Sequence, residues 1–268
     1  MKNTLWNKQD ELSEKLWEYF ILVDTIEDIW EKIIEINKQN FDVQIKDDKT
    51  KLTIADELSN TLLMKCVEQH FPTYKIISEE IENDTLTNDI TFIIDPLDGT
   101  NDFVNKTWEF SIMLSVLENK KPIFGIVYSP TDKKLIFALD GKWTYIYQNG
   151  NLKKLEIQKK EKQDYIMLTS RNYFSETDKK FCQDLWLNEK NYLPCWSILL
   201  KVLKICEGKN YFYMNHSKNL WILDLAPNDI ILREAWWKIY DETCQEIKII
   251  YDTTSKKVMQ KIAMCKEI

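Results

Sequence analysis

The stretch Asp95–Pro96–Leu97–Asp98–Gly99–Thr100 constrains this chain more than any other. It follows the apolar run Thr91–Phe92–Ile93–Ile94, so a buried strand ends in two carboxylates three positions apart. Pro96 restricts φ and keeps the chain from running on as strand or helix, and Gly99 supplies freedom at positive φ. Gly99 and Thr100 can then aim successive backbone N–H groups at an anion. A turn that points oxygens inward beside such a nest suits hard cations. The chain has only five glycines in 268 residues, well under the average share of roughly 7%, so a glycine here is not filler. The plainer reading is an acidic surface turn, since Asp-Gly by itself is common in loops.

Bulk properties narrow the function classes. At 268 residues and 44% apolar content, the chain can bury a sizeable core in one large domain or two lobes. Lys and Arg number 36 against 43 Asp and Glu, a net charge of −7, which argues against a nucleic-acid polymer or an anionic membrane as partner. Six scattered cysteines without a C-x-x-C pair read as reduced thiols. His70 and His216 are the only histidines, leaving little material for a His-based metal site or a serine triad. No apolar signal segment opens the chain, and no run approaches the roughly 18 to 20 apolar residues of a membrane span. The expectation is a cytoplasmic protein.

Periodicity predicts an amphipathic helix, or two, over residues 8 to 40, with Leu12, Leu16, Tyr19, Phe20, Val23, Ile26, Ile29, Trp30, Ile33 and Ile34 on its apolar side. A second helix carries Leu58, Leu62, Leu63, Cys66 and Val67, opened by Thr53 or Asp56 and ended by His70 and Pro72. Residues 74–78 form a short strand ending in Glu79–Glu80. Antiparallel strands follow over 110–117, 123–128, 135–139 and 142–148, with turns at Asn119–Pro122, Asp140–Gly141 and Asn149–Gly150. A lobe boundary is expected between about 150 and 165, dividing lobes 1–160 and 161–268. Beyond it, strand 165–170, helices 178–187 and 198–206 and strand 211–214 suggest a second α/β lobe. Asp224 heads an apolar helix, where N-capping alone explains an Asp.

If the strands ending at Ser78 and Ile94 lie side by side, Glu79 and Asp95 emerge from one sheet edge. Converging carboxylates repel unless cations intervene. Oxygen-only ligands without His or Cys favour Mg²⁺ or Mn²⁺ over zinc.

Taken in this order, Ser78–Glu79–Glu80, Asp95–Thr100 and Asp224–Leu225–Ala226–Pro227 resemble the inositol monophosphatase family of lithium-sensitive, magnesium-dependent phosphatases. Lys46, Asp48, Thr50–Thr53 and Ala55–Asp56 are similar to the segment that precedes these motifs in the family. The resemblance implies an α/β (α+β) fold, a layered α/β/α/β/α sandwich of two sub-lobes like that of fructose-1,6-bisphosphatase. It also implies that Glu79, Asp95, the Leu97 carbonyl, Asp98 and Asp224 hold two or three Mg²⁺ ions, with Mn²⁺ a substitute. Glu80 and Thr100, the latter supported by Asp56 and Thr53, would orient and deprotonate the attacking water. The amides of Gly99 and Thr100 would hold the phosphate, and a homodimer is the family's tendency.

Glu109–Phe110, Pro122 with Gly125–Pro130, Thr169–Ser170–Arg171–Asn172 and Leu200–Gly208 look more like the bacterial 3'(2'),5'-bisphosphate nucleotidase branch. On that match Lys201 would meet a substrate phosphate; a lysine snorkelling from its helix is the plainer account. The pattern departs from the family where Ser197–Ile198–Leu199 replaces Gly-Ser-Ser, where Leu223 replaces the Trp before Asp224, and where glycines after Asp224 are missing. The expected activity is hydrolysis of adenosine 3',5'-bisphosphate to AMP and phosphate. The alternatives are an inositol-phosphate or sugar-phosphate phosphatase and a non-catalytic binding or regulatory protein on the same fold.

Overall fold

The computed structural model describes residues 18–47, 50–81, 90–130, 132–155, 166–170, 174–184, 187–195, 197–206, 211–215, 220–240, 251, 257–258 and 262–265. Leu12 and Leu16, Asp48, Arg171–Asn172, His216, Glu207–Gly208 and most of the expected lobe boundary lie outside these residues.

The largest sheet has seven strands in the order β3-β4-β5-β6-β7-β8-β9. They are β3 (Lys75–Ser78), β4 (Thr91–Asp98), β5 (Ser111–Glu118), β6 (Lys121–Ser129), β7 (Lys134–Leu139), β8 (Thr144–Gln148) and β9 (Asn151–Lys154). Only β3 and β4 run parallel, in the register Ser78↔Ile94. From β4 onward the sheet is an antiparallel meander. Side-chain parity decides what each face carries. Phe92 and Ile94 of β4, with Ile112, Leu114 and Val116 of β5, pack against α1 (Phe20–Lys38) and α2 (Ile54–His70). Ile93, Met113 and Val127 point the other way, onto α5 (Ile198–Cys206) and α6 (Ile222–Glu234). Asp95 shares the parity of Ile93 and therefore faces α6.

α5 and α6 are covered in turn by a second sheet of order β11-β10-β12-β16-β14. Its strands are β10 (Ile166–Ser170), β11 (Tyr192–Cys195), β12 (Tyr211–Asn215), β14 (Lys238–Tyr240) and β16 (Ile262–Cys265). Leu168 and Tyr213 enter the same core as α5 and α6. Met167, of opposite parity, meets Cys182 of α4 (Glu176–Asp184) at 2.7 Å between sulfurs on the outer side. The result is a layered α/β/α/β/α sandwich, as the resemblance implied. Two short pairs complete it: β1 (Val43–Ile45) with β2 (Lys51–Thr53), and β13 (Leu220–Trp221) with β15 (Lys257–Val258).

Several boundaries differ from the periodicity. β4 continues through Pro96 to Asp98, with its pairing to β5 broken between Asp95 and Asp98. Pro96 therefore interrupts the ladder without ending the strand, because the N–H it lacks falls in the irregular stretch. α4 begins and ends earlier than expected. The C-terminal strands β14 and β16 gave no alternation to read, and they make the second sheet mixed.

Gly125 sets the approach of α6 to the large sheet. A Cβ there would meet Ile230 Cγ2 at 2.6 Å and the Pro227 carbonyl oxygen at 2.8 Å. Only a residue without a side chain lets the helix backbone lie this close.

Candidate metal centre

Four segments meet where β3 and β4 end. The parallel pairing puts Glu79 beside the end of β4, its amide donating to the Ile94 carbonyl at 3.2 Å. Asp95 is 3% exposed and accepts from the Leu97 amide at 3.1 Å, closing a tight loop around Pro96. Ser59 of α2 donates to the Pro96 carbonyl at 2.7 Å and ties that loop down. Asp98 accepts from Ser111 at 3.1 Å. Gly99 has φ of 87°, and a Cβ on it would lie 3.0 Å from the Glu109 carbonyl. Both facts demand glycine, and the helix α3 (Thr100–Val104) then starts at once. The first amides of a helix have no intrahelical acceptor, so Thr100 presents its N–H at an open end.

Asp224 arrives from the far side. It is the third residue of α6 rather than its cap, and its carboxylate accepts from the Trp221 amide at 3.2 Å. Asp95, Asp98 and Asp224 bring carboxylate oxygens within 4.8 Å of one another.

The electrostatics of this cluster suit a cation. Burial pushes the Asp95 carboxyl well above the usual carboxylate range, and the charges of Glu79, Asp98 and Asp224 push it further. Asp224 is pushed up to about 8, again by burial first and then by Asp98. Burial raises Glu79 to about 7, with Lys46 opposing. Burial also raises Asp98, against the hydrogen bonds from Ser197 and Ser111 and the charge of Lys201. Acids placed this way hold protons or cations. An all-oxygen donor set with negative charge in excess fits a hard divalent ion.

Beside the cluster stands a hydroxyl–carboxylate chain. Thr53 caps α2, and Asp56 is its reciprocal partner in a capping box. Asp56 Oδ2 accepts from the Thr53 amide at 2.8 Å and its hydroxyl at 2.6 Å, and Oδ1 accepts from the Thr100 hydroxyl at 2.9 Å. Burial pushes Asp56 up to about 6 in spite of these bonds. The Leu97 carbonyl lies 3.2 Å from the Thr100 hydroxyl, so the Leu97 backbone borders the same space. Glu80 stands apart from the three-carboxylate cluster, with its carboxylate on the Lys46 ammonium at 2.7 Å.

Lys201 is 2% exposed and lies among site residues rather than at a helix rim, so snorkelling does not describe it. Its Nζ is 4.7 Å from the centre of the Tyr213 ring. Burial lowers its pKa, opposed by Cys195, Asp98, Asp224 and Glu109. Three residues of the site had no part assigned from sequence. Lys46 lies in the segment that resembles the family but has no role read from it, and Ser111 and Ser197 reach Asp98 through folds of the chain that no local pattern announces.

A layered sandwich with an acidic hard-cation cluster between its sheets is the architecture of a class of metal-dependent phosphatases. The sequence pattern described as "Inositol monophosphatase family" matches residues 18–260, and the chain belongs to that family. Among relatives, it is 30% identical over 243 residues to the 3'(2'),5'-bisphosphate nucleotidase CysQ of Buchnera aphidicola, covering 81% of this chain and 87% of that protein. It is 28% identical over 216 residues to inositol monophosphatase 1 of Solanum lycopersicum, covering 77% and 76%. Among solved structures, CysQ of Bacteroides thetaiotaomicron superposes with a TM-score of 0.76 over 93% of this chain and 97% of that one, at 22% identity. The inositol monophosphatase of Thermotoga maritima gives 0.75 over 94% and 92%, at 19% identity. Family members are metal-dependent phosphatases acting on small phosphorylated substrates. Among the described residues, no helix is long and apolar enough to cross a membrane.

Proposed function

We propose that the chain is a magnesium-dependent phosphomonoesterase that hydrolyses adenosine 3',5'-bisphosphate to AMP and phosphate. The observation that carries the reading is the convergence of Asp95, Asp98 and Asp224 within 4.8 Å, from two elements far apart in the chain. Glu79, Asp95, the Leu97 carbonyl, Asp98 and Asp224 hold Mg²⁺, with Mn²⁺ as a substitute. Such ions, when bound, neutralise a phosphoryl group and make a nearby water acidic.

The chain's own groups do the rest. The Thr100 hydroxyl, which donates to Asp56 at 2.9 Å, is free to accept from a water on its open side. A proton taken there passes toward Asp56, whose carboxyl, pushed up to about 6, can accept it near neutral pH. Thr53 holds Asp56 in one orientation, and Glu80 is the second proton acceptor at the site. The Gly99 and Thr100 amides orient the phosphoryl oxygens, and α3 begins at that point. Lys201, buried beside Asp98 and Asp224, supplies positive charge toward the anionic substrate. Lobes 1–160 and 161–268 and a cytoplasmic setting belong to the same proposal, and a homodimer follows only the family's tendency.

Similarity to the Buchnera nucleotidase supports the nucleotide substrate. A second reading, an inositol-phosphate or sugar-phosphate phosphatase, is favoured by the similarity to the tomato enzyme. Phosphate release from the purified protein, measured with these substrates in parallel, separates the two. The nucleotide is expected to show the highest kcat/KM, with inhibition by lithium at millimolar levels. A large preference for inositol 1-phosphate overturns the substrate assignment, and an unchanged rate in Asp98→Asn overturns catalysis at this centre altogether.

A further inference from the structure

We propose that the Lys46 ammonium is a tethered counter-cation for the Glu79–Glu80 pair and limits how tightly a divalent ion is held at Glu79. The inference rests on the hard-cation reading of the centre but not on the phosphatase activity. Lys46 follows β1 at the tip of the β1–β2 hairpin, where its amide donates to the Thr50 carbonyl at 2.9 Å. Its side chain takes the inward direction while the preceding Ile45 is 64% exposed. Lys46 Nζ lies 2.8 Å from Glu80 Oε1 and 2.7 Å from Oε2, so it straddles that carboxylate, and it is 3.7 Å from Glu79 Oε1. One ammonium thus serves both acids.

That geometry has two effects. It holds Glu80 in a single orientation, since a straddled carboxylate cannot rotate without losing a charge-assisted bond. It also places a positive charge where a divalent ion on Glu79 must approach. Charges of +2 and +1 about 4 Å apart repel by enough to weaken binding about thirtyfold even at the dielectric constant of water. The lysine side chain is 22% exposed, so it can withdraw, but the ion has to displace it. The same hairpin carries Thr53 at its other end, paired with Val43 and bonded to Asp56. One short element therefore supplies a charge to the acid pair and a hydroxyl to the Thr100–Asp56 chain.

The test compares the full-length protein with Lys46→Met, which keeps the apolar stem, and Lys46→Arg, which keeps the charge. Mn²⁺ binding is titrated by calorimetry in the absence of substrate. K46M is expected to bind its weakest-held ion about thirtyfold more tightly than the parent, and K46R to stay within about twofold. The gain should shrink as salt is raised, because the pair is partly exposed. An isotherm of K46M that matches the parent, or shows weaker binding, overturns the proposal. Failure of the phosphatase reading would appear separately, as absence of phosphate release from the parent protein, and would leave this comparison intact.

Discussion

Substituting Gly125 by alanine tests how the candidate metal centre is assembled. Gly125 lies on β6, across β5 from the strand that bears Asp95 and Asp98, and opposes the turn of α6 that follows Asp224. Its φ is not in the left-handed region, so the backbone accepts an alanine; the added methyl does not fit. It would lie 2.6 Å from Ile230 Cγ2, 2.8 Å from the Pro227 oxygen and 3.1 Å from Pro227 Cα. Carbon atoms pack at about 3.5–4.0 Å, so α6 must retreat by roughly 1 Å. Ile230 could turn aside, but the Pro227 contacts are backbone and move only with the helix. Overpacking of this kind costs about 1–3 kcal/mol, which at roughly 2–4 °C per kcal/mol for a chain of this size lowers Tm by about 2–12 °C.

The retreat also carries Asp224 away from Asp95 and Asp98. Mg²⁺ demands near-ideal geometry at about 2.1 Å, so the Mg²⁺ concentration for half-maximal phosphate release should rise about tenfold or more, with a smaller change in rate at saturating metal. Scanning calorimetry and a Mg²⁺ titration of phosphate release read the two effects. A G125A protein with parental Tm and parental Mg²⁺ dependence would refute the argument that this contact spaces the cluster.

Three further outcomes follow from the electrostatics and the hydrogen bonds. In the metal-free protein, Glu79 and Asp224 titrate near 7 and 8, above their values in an unfolded chain, so the folded state holds the extra protons. Their contribution to stability is therefore present at about pH 4 and is lost as pH rises through 7 to 8. Tm without metal should fall from pH 5 to pH 8.5 and flatten when Mg²⁺ is added; a rise over that interval contradicts the sign. Asp98→Asn removes a charge that repels Asp95 and Asp224, so at pH 8 the metal-free variant should melt a few degrees higher, about 1 kcal/mol, while phosphate release drops by about a hundredfold or more. Asp56→Asn puts an amide where three donors converge. It should lose about 1–2 kcal/mol at the helix start and about a hundredfold in rate, measured by denaturant melts and initial rates; full activity would remove Asp56 from the proton path.

The sequence by itself determined the turn from Asp95 to Thr100, because its chemistry is contiguous: the acids, the proline and the left-handed glycine act within six residues. It placed Glu79 beside Asp95 only on the condition that the strands ending at Ser78 and Ile94 lie side by side, a condition that the parallel register meets. The Thr53–Asp56 capping box was legible as a choice between two caps, and both residues turned out to share it. From its own neighbours Asp224 reads only as a helix-opening acid, and its place among the metal ligands came from the family resemblance. Its approach to Asp95 depends on strand parity, on the bare backbone at Gly125 and on the packing of α6, none of which is a property of its neighbours in sequence. The contact of Lys46 with Glu79 and Glu80 is of the same kind. A salt bridge between a hairpin tip and a strand end leaves no periodic trace in the chain, and only tertiary structure brings those charges within reach of each other. Returned to its three-dimensional setting, the hexapeptide is half of an acidic cluster whose other half arrives on α6, and that fits the proposed hard cation, which needs oxygens from several directions where one turn supplies them from only one.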